Sequence, residues 1–196
     1  MSTEPQMGAT STTDEAVLWL GAKDSAAALK RLVAAQYRVV ECEAHETASL
    51  VRAMEEASAR FGAKRISLVA EGADAVPALL LALDEPQRVA SIILLAPQIF
   101  DADGKALSAA SETVAARLSA IETPVLALFG TKARAAPPEA ARHYRARNPR
   151  CHLIFVYDAG EKMAEERPEA VAELVADFVQ RRDRFLVRQH EDRLYR

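Results

Sequence analysis

Cysteine is scarce in this sequence: Cys42 and Cys151 are the two in 196 residues. That pair makes neither a disulfide framework nor a zinc-ligand spacing, and a reducing cytoplasm is the plain expectation. An excess of one charge is also lacking. Lys and Arg total 25 against 28 Asp and Glu, a formal net charge of −3. Nothing in that balance favours nucleic acid or an anionic membrane as a partner. Long apolar runs are missing too. The longest, Ala75–Leu83, falls far short of a membrane span and is interrupted by Pro77. The opening MSTEPQMGATSTTDE has neither a basic nor an apolar segment, so it does not read as a signal peptide. Its Ser, Thr, Pro and Gly content predicts a disordered leader over residues 1–14. No internal repeat is visible, and no metal or cofactor is expected.

What is present is an alternation of short β-rich runs with helical patterns. Strands are predicted near 16–20, 37–43, 66–70, 89–96, 124–129 and 151–157. The run Val89–Ala96 is apolar but for Ser91, which suits a parallel strand covered on both faces. Between the strands, Asp24 or Ser25 can cap a helix reaching about Gln36. Glu46–Phe61 sets Leu50, Met54, Ala57 and Phe61 on one face, with Gly62 as its stop. A helix runs on to about Leu83, an Ala-rich one spans Lys105–Ile121, and another opens at Pro138. The last begins near Pro168 and buries a stripe from Val171 to Val179. The expectation is one α/β domain over residues 15–182, with a mostly parallel sheet of about six strands and helices on both faces. The tail, residues 183–196, is basic; from Arg181 onward six arginines face three acids. Within it Phe185-Leu-Val187 is expected to dock on an apolar surface, of this domain or of a second copy.

The stretch Arg65-Ile-Ser-Leu-Val-Ala-Glu-Gly-Ala-Asp-Ala75 reads as a buried strand that turns sharply at Gly72 into a helix. That is the form of a nucleophile elbow. Three further blocks stand in register with it: Val17-Leu-Trp-Leu-Gly21, then Pro124 to Ala133 with Pro137-Pro-Glu139, then Val156 to Glu161 with Glu165 to Val171. In their order and spacing these blocks, over about residues 16–180, resemble the α/β-hydrolase superfamily. The resemblance implies a minimal, single-domain form of that fold. No strand hairpin is visible before Ala16, and the gap from Ala96 to Pro124 holds one helix at most, so no lid domain is expected and any pocket is shallow.

Carried over by position, the resemblance puts the nucleophile at Gly72, the triad acid at Ala133 and the triad histidine at Glu161. Leu20 stands before the oxyanion-loop glycine, Gly21, where the family has histidine. All three triad positions are therefore replaced. A triad works as a unit of nucleophile, base and orienting acid, and glycine has no group that attacks a carbonyl. Glycine does relieve the strain of the elbow turn, where φ is positive. Glu71, Asp74 and Glu161 are expected near the same mouth, at the carboxyl ends of the strands. There they would oppose an oxyanion; they are solvated loop acids, or they attract a cation or a basic partner segment. Cys42 and Cys151 read as strand residues near opposite edges, and Trp19 as core. His45 is placed in a loop, His143 on a helix, His152 in a strand and His190 in the tail.

Two functions of different class fit. One is a non-catalytic α/β-hydrolase-fold protein that binds a protein partner or a small ligand, as a regulator, scaffold or sensor. The other is a hydrolase of that family with altered chemistry, using a carboxylate base such as Glu71 or Glu161. The tail leaves a homo-oligomer open. Fold likeness alone does not choose between them.

Overall fold

The computed structural model describes residues 16–21, 26–43, 47–185 and 194–195. The leader, the Asp24/Ser25 cap, His45, His190, Leu186 and Val187 lie outside the described residues. Six strands fall where the apolar runs predict them: β1 (Ala16–Leu20), β2 (Arg38–Cys42), β3 (Ile66–Glu71), β4 (Val89–Leu95), β5 (Val125–Gly130) and β6 (His152–Val156). A two-residue strand from the tail, β7 (Leu194–Tyr195), adds to the edge beyond β6. The spatial order is β2-β1-β3-β4-β5-β6-β7, with every neighbour parallel. The chain moves outward from β1 to β2, then crosses back to lay β3 on the other side of β1. The β1/β3 boundary is thus a topological switch point, the place where open α/β sheets form a crevice at their carboxyl ends.

Side-chain alternation along these strands divides the core in two. Leu18, Leu68, Ile92, Leu94 and Phe129 face helices α2 (Thr47–Phe61), α3 (Ala75–Asp84), α4 (Ala109–Arg117) and α5 (Ala141–Arg147). Val17, Trp19, Val69, Ile93 and Leu126 face α1 (Ala27–Ala34), α6 (Met163–Glu166) and α7 (Pro168–Arg181). The central strands are buried on both faces because both helix layers cover them. Two serines survive there because they satisfy each other: Ser91 Oγ donates to Ser67 Oγ at 2.8 Å.

Helix α4 is shorter than the Ala-rich run suggests. It starts only after Ser108, whose Oγ accepts from the Ser111 N–H at 3.1 Å. Residues ahead of it form a loop held by a Phe100–Ala106 bridge and by Asp101, which accepts from the Lys105 N–H at 2.9 Å. This loop packs on α5: Tyr144 donates its hydroxyl to the Pro97 carbonyl at 3.0 Å, and the Arg147 guanidinium stacks 4.5 Å from the Phe100 ring centroid. At the other end of the chain, Phe185 is buried, edge-on to Phe178 and His152 of its own domain.

Candidate functional site

β3 ends at Glu71, and a single 3₁₀ turn, Gly72–Asp74, leads straight into α3. Gly72 holds φ at +54°, in the left-handed region. Its carbonyl accepts from the Gln98 backbone N–H at 3.0 Å. The Gln98 side chain lies over the same turn, so a Cβ added at Gly72 would sit 3.4 Å from its Nε2. Where a side chain would project from this elbow, a carboxamide stands. Asp74 is the residue before α3, but its carboxylate does not cap that helix.

Beside the elbow, β1 and β3 run in register, with Leu20 opposite Ala70. Leu20 is fully buried in the core against α2 and α3, and Gly21 continues the backbone with its N–H 3.4 Å from the Cys42 carbonyl. Trp19 points to the other face. Its Nε1–H donates to Glu71 Oε1 at 2.6 Å, a bond across the switch point. A buried indole needs such an acceptor, and Glu71 supplies it. Sequence reasoning read Trp19 as core and Glu71 as a mouth acid. Trp19 is indeed buried in the core, and the bond joining the two residues spans 52 positions and leaves no local signal.

The other half of the site is a pair of loops. After β5 the chain turns through Thr131 to Pro137; after β6 it turns through Tyr157 to Lys162. Backbone bonds stitch them: the Lys132 N–H reaches the Ala159 carbonyl at 2.8 Å and the Thr131 N–H the Val156 carbonyl at 3.1 Å. Thr131 Oγ1 accepts from the Asp158 N–H at 3.0 Å. The approach is so close that a Cβ at Gly130 would lie well inside contact with the Ala159 and Gly160 carbonyl oxygens. Ala133 is buried under this seam.

Glu161 closes it. Its Oε1 accepts from the Arg134 N–H and, at 2.6 Å, from the Ala135 N–H. These bonds stabilise the charged form, so the Ala135 and Arg134 amides hold the Glu161 carboxyl below its ordinary pKa. The structure therefore brings positions 133 and 161 together, as a carboxylate bound to the backbone just beyond Ala133. Asp158 sits on the outside of the seam between Lys132 and Arg167, the latter 3.2 Å away. The Lys132 ammonium lowers the Asp158 pKa, and Asp158 raises that of Lys132. Glu166 adds a further tie, accepting from the Gly160 N–H at 2.7 Å. None of these partners was legible in sequence, where the only marker was the turn chemistry of Asp158-Ala-Gly160.

The three mouth carboxylates do not form a cluster. Glu71 is engaged at β3 and Glu161 beyond β6, with β4 and β5 between them. Among the described residues no three His, Cys, Asp or Glu side chains are grouped to hold a metal ion. Cys42 and Cys151 are free thiols on β2 and beside β6; burial raises both pKa values, that of Cys151 to about 12. His143 is engaged with the Ala102 carbonyl at 3.1 Å, and His152 packs between Phe178 and Phe185.

No family model and no curated protein matches the sequence. Solved structures do match the fold. The α/β-hydrolase enzyme MGS-MChE2, from a sediment metagenome of the Mar Chica lagoon in Morocco, superposes with a TM-score of 0.67 at 15% identity, over 86% of this chain and 92% of that one. An esterase from Thermogutta terrifontis gives 0.66 at 15% identity, over 86% and 90%. The carboxylesterase CesB from Bacillus subtilis gives 0.64 at 15% identity, over 85% and 84%. Near-complete coverage on both sides, with the strand order and the sharp β3–α3 turn described above, makes this the α/β-hydrolase fold.

Proposed function

We propose that this protein is an α/β-hydrolase-fold protein without a catalytic triad, acting by binding a protein segment or a small ligand. Gly72, Ala133 and Glu161 are in this reading the former nucleophile, acid and histidine positions, and Leu20 and Gly21 the former oxyanion loop. The observation that carries it is the use made of Glu161. A general base works best with a pKa near the operating pH. The Glu161 carboxylate is instead shifted the other way, by two backbone N–H donors that fix a loop. Glu71 is likewise engaged, with the Trp19 indole. Two free thiols, Cys151 buried and Cys42 half-buried, fit a reducing compartment, and we place the protein in the cytoplasm on that ground.

The fold's solved relatives named above are enzymes, which favours a second reading: a hydrolase that uses Glu71 or Glu161 as a carboxylate base. A side-chain ¹³C NMR titration of Glu161 separates the two. The binding reading expects a midpoint below the ordinary glutamate value, with the Arg134 and Ala135 amide shifts moving in parallel. A midpoint near neutrality, with those amides silent, would support the carboxylate base instead.

A further inference from the structure

Helix α5 and the turn after it carry charge of one sign. Residues 141–150 hold four arginines, Arg142, Arg145, Arg147 and Arg150, and no Asp or Glu. Arg142 and Arg145 stand three positions apart, so they are neighbours on one face of the helix. Both are exposed, and so is Arg150 in the turn before β6. Arg150 directly precedes Cys151, whose pKa is raised by burial and opposed by the Arg145 charge. Arg145 and Arg150 therefore stand close together, beside the start of β6.

Nothing on the protein neutralises this group. Arg147 donates to the His143 carbonyl at 3.2 Å and to the Gly104 carbonyl at 3.3 Å, and its guanidinium stacks on Phe100. Arg142 donates to the Ala102 carbonyl at 3.2 Å. These contacts fix two guanidinium groups in place, but every acceptor is a neutral carbonyl, so the positive charge remains. A guanidinium also has more N–H donors than these bonds use. Among the described residues no carboxylate pairs with any of the four arginines. Elsewhere arginines do meet acids: Arg88 with Glu85, Arg117 with Asp84 and Arg181 with Asp177.

The acids nearest in the chain lie at the rim. Glu139 is in the 3₁₀ turn ahead of α5, and Asp103 is in the loop that Arg142 and Arg147 hold. Asp101 turns into that loop, accepting from the Asp103 and Lys105 N–H groups. A nucleic acid or an anionic membrane spreads its charge widely, and would meet these acids as well as the chain's net charge of −3. A compact group of carboxylates meets the guanidinium groups alone, and takes charge-assisted, forked hydrogen bonds from them.

We propose that the exposed face of α5 docks an acidic segment of a partner protein, one with closely spaced Asp or Glu side chains, through Arg142, Arg145 and Arg150. Arg147, stacked on Phe100, adds positive potential behind them. The proposal does not rest on the loss of catalysis at the elbow; either reading of that site leaves it standing.

Fluorescence anisotropy of a labelled deca-glutamate peptide, titrated with the full chain at low ionic strength, tests it. Saturable binding that weakens as salt rises is expected. Arg145→Glu combined with Arg150→Glu should weaken it about tenfold or more, because reversing both charges replaces attraction by repulsion. Arg145→Gln combined with Arg150→Gln should also weaken it, by less, and repeats the test without reversing charge. Both side chains are exposed and unpaired among the described residues, so the fold should persist in either variant. Arg31→Glu combined with Arg60→Glu, the same change on α1 and α2, should alter binding by about twofold at most, since those charges lie away from the patch. An oligothymidylate of equal charge should bind more weakly than the peptide. Absence of saturable peptide binding, an equal loss in the Arg31 and Arg60 variant, or tighter binding of the oligothymidylate would each overturn the proposal, the last in favour of a nucleic-acid surface.

Discussion

Gly72 and Gly130 show two different reasons for a glycine. Gly72 is required by its backbone: at φ +54° an alanine is strained, while its Cβ would find only a side-chain amide 3.4 Å away. Substitution there should cost about 1 kcal/mol or somewhat more. Gly130 is required by close approach, since its neighbours are two backbone carbonyl oxygens of the facing loop. Neither carbonyl swings aside as a side chain does. Gly130→Ala should therefore destabilise by more than Gly72→Ala, about 2 kcal/mol or above, because the stitched loops must separate or strain. Urea denaturation of the two variants checks the order. Equal midpoints for wild type and Gly130→Ala would contradict the loop contact. Of these two needs, the first was legible in sequence as a strand ending in a sharp turn. The second was not, because the atoms that demand it lie some thirty residues further along the chain.

Among the elements, the pair of loops after β5 and β6 gives the site its character. The Glu161 carboxylate joins them, and its pKa is lowered in the folded protein. The unfolded chain then binds a proton more readily than the folded one across the interval between the two values. Glu161 thus contributes stability that is full above its ordinary pKa of 4.5 and is lost as pH falls through the lowered folded value. Glu161→Gln, which cannot ionise, should be less stable than wild type at pH 7, by about 1 kcal/mol or less for a carboxylate still near solvent. That gap should close toward pH 3. Parallel urea titrations at the two pH values measure it; a gap that widens in acid would contradict the loop tie. The alternation of apolar runs and amphipathic helices made all six long strands readable; for a central strand, burial on two faces leaves a nearly continuous apolar run such as Val89–Leu95, broken only by Ser91. What alternation does not carry is where loops meet. The Trp19–Glu71 bond, the Gln98 side chain over Gly72 and the Glu161 tie join residues that become neighbours only when the sheet has formed. Boundaries set by single hydrogen bonds, such as the Ser108 cap that delays α4, were equally out of reach.

For the whole molecule, the fold keeps the frame of a hydrolase while its carboxyl-end mouth is occupied by structural bonds. The indole of Trp19 spans the switch point, Gln98 stands over the turn at Gly72, and the loops after β5 and β6 are sewn to each other. The measurement that bears on this most directly is hydrolysis of p-nitrophenyl acetate and p-nitrophenyl butyrate by the purified full chain, with Glu71→Gln and Glu161→Gln beside it. Serine hydrolases cleave such esters because a poised hydroxyl attacks and a histidine carries its proton, and Gly72 and Glu161 provide neither. The account predicts no turnover above the buffer control for any of the three proteins. Sustained turnover by the unmutated chain, abolished by Glu71→Gln or Glu161→Gln, would contradict it.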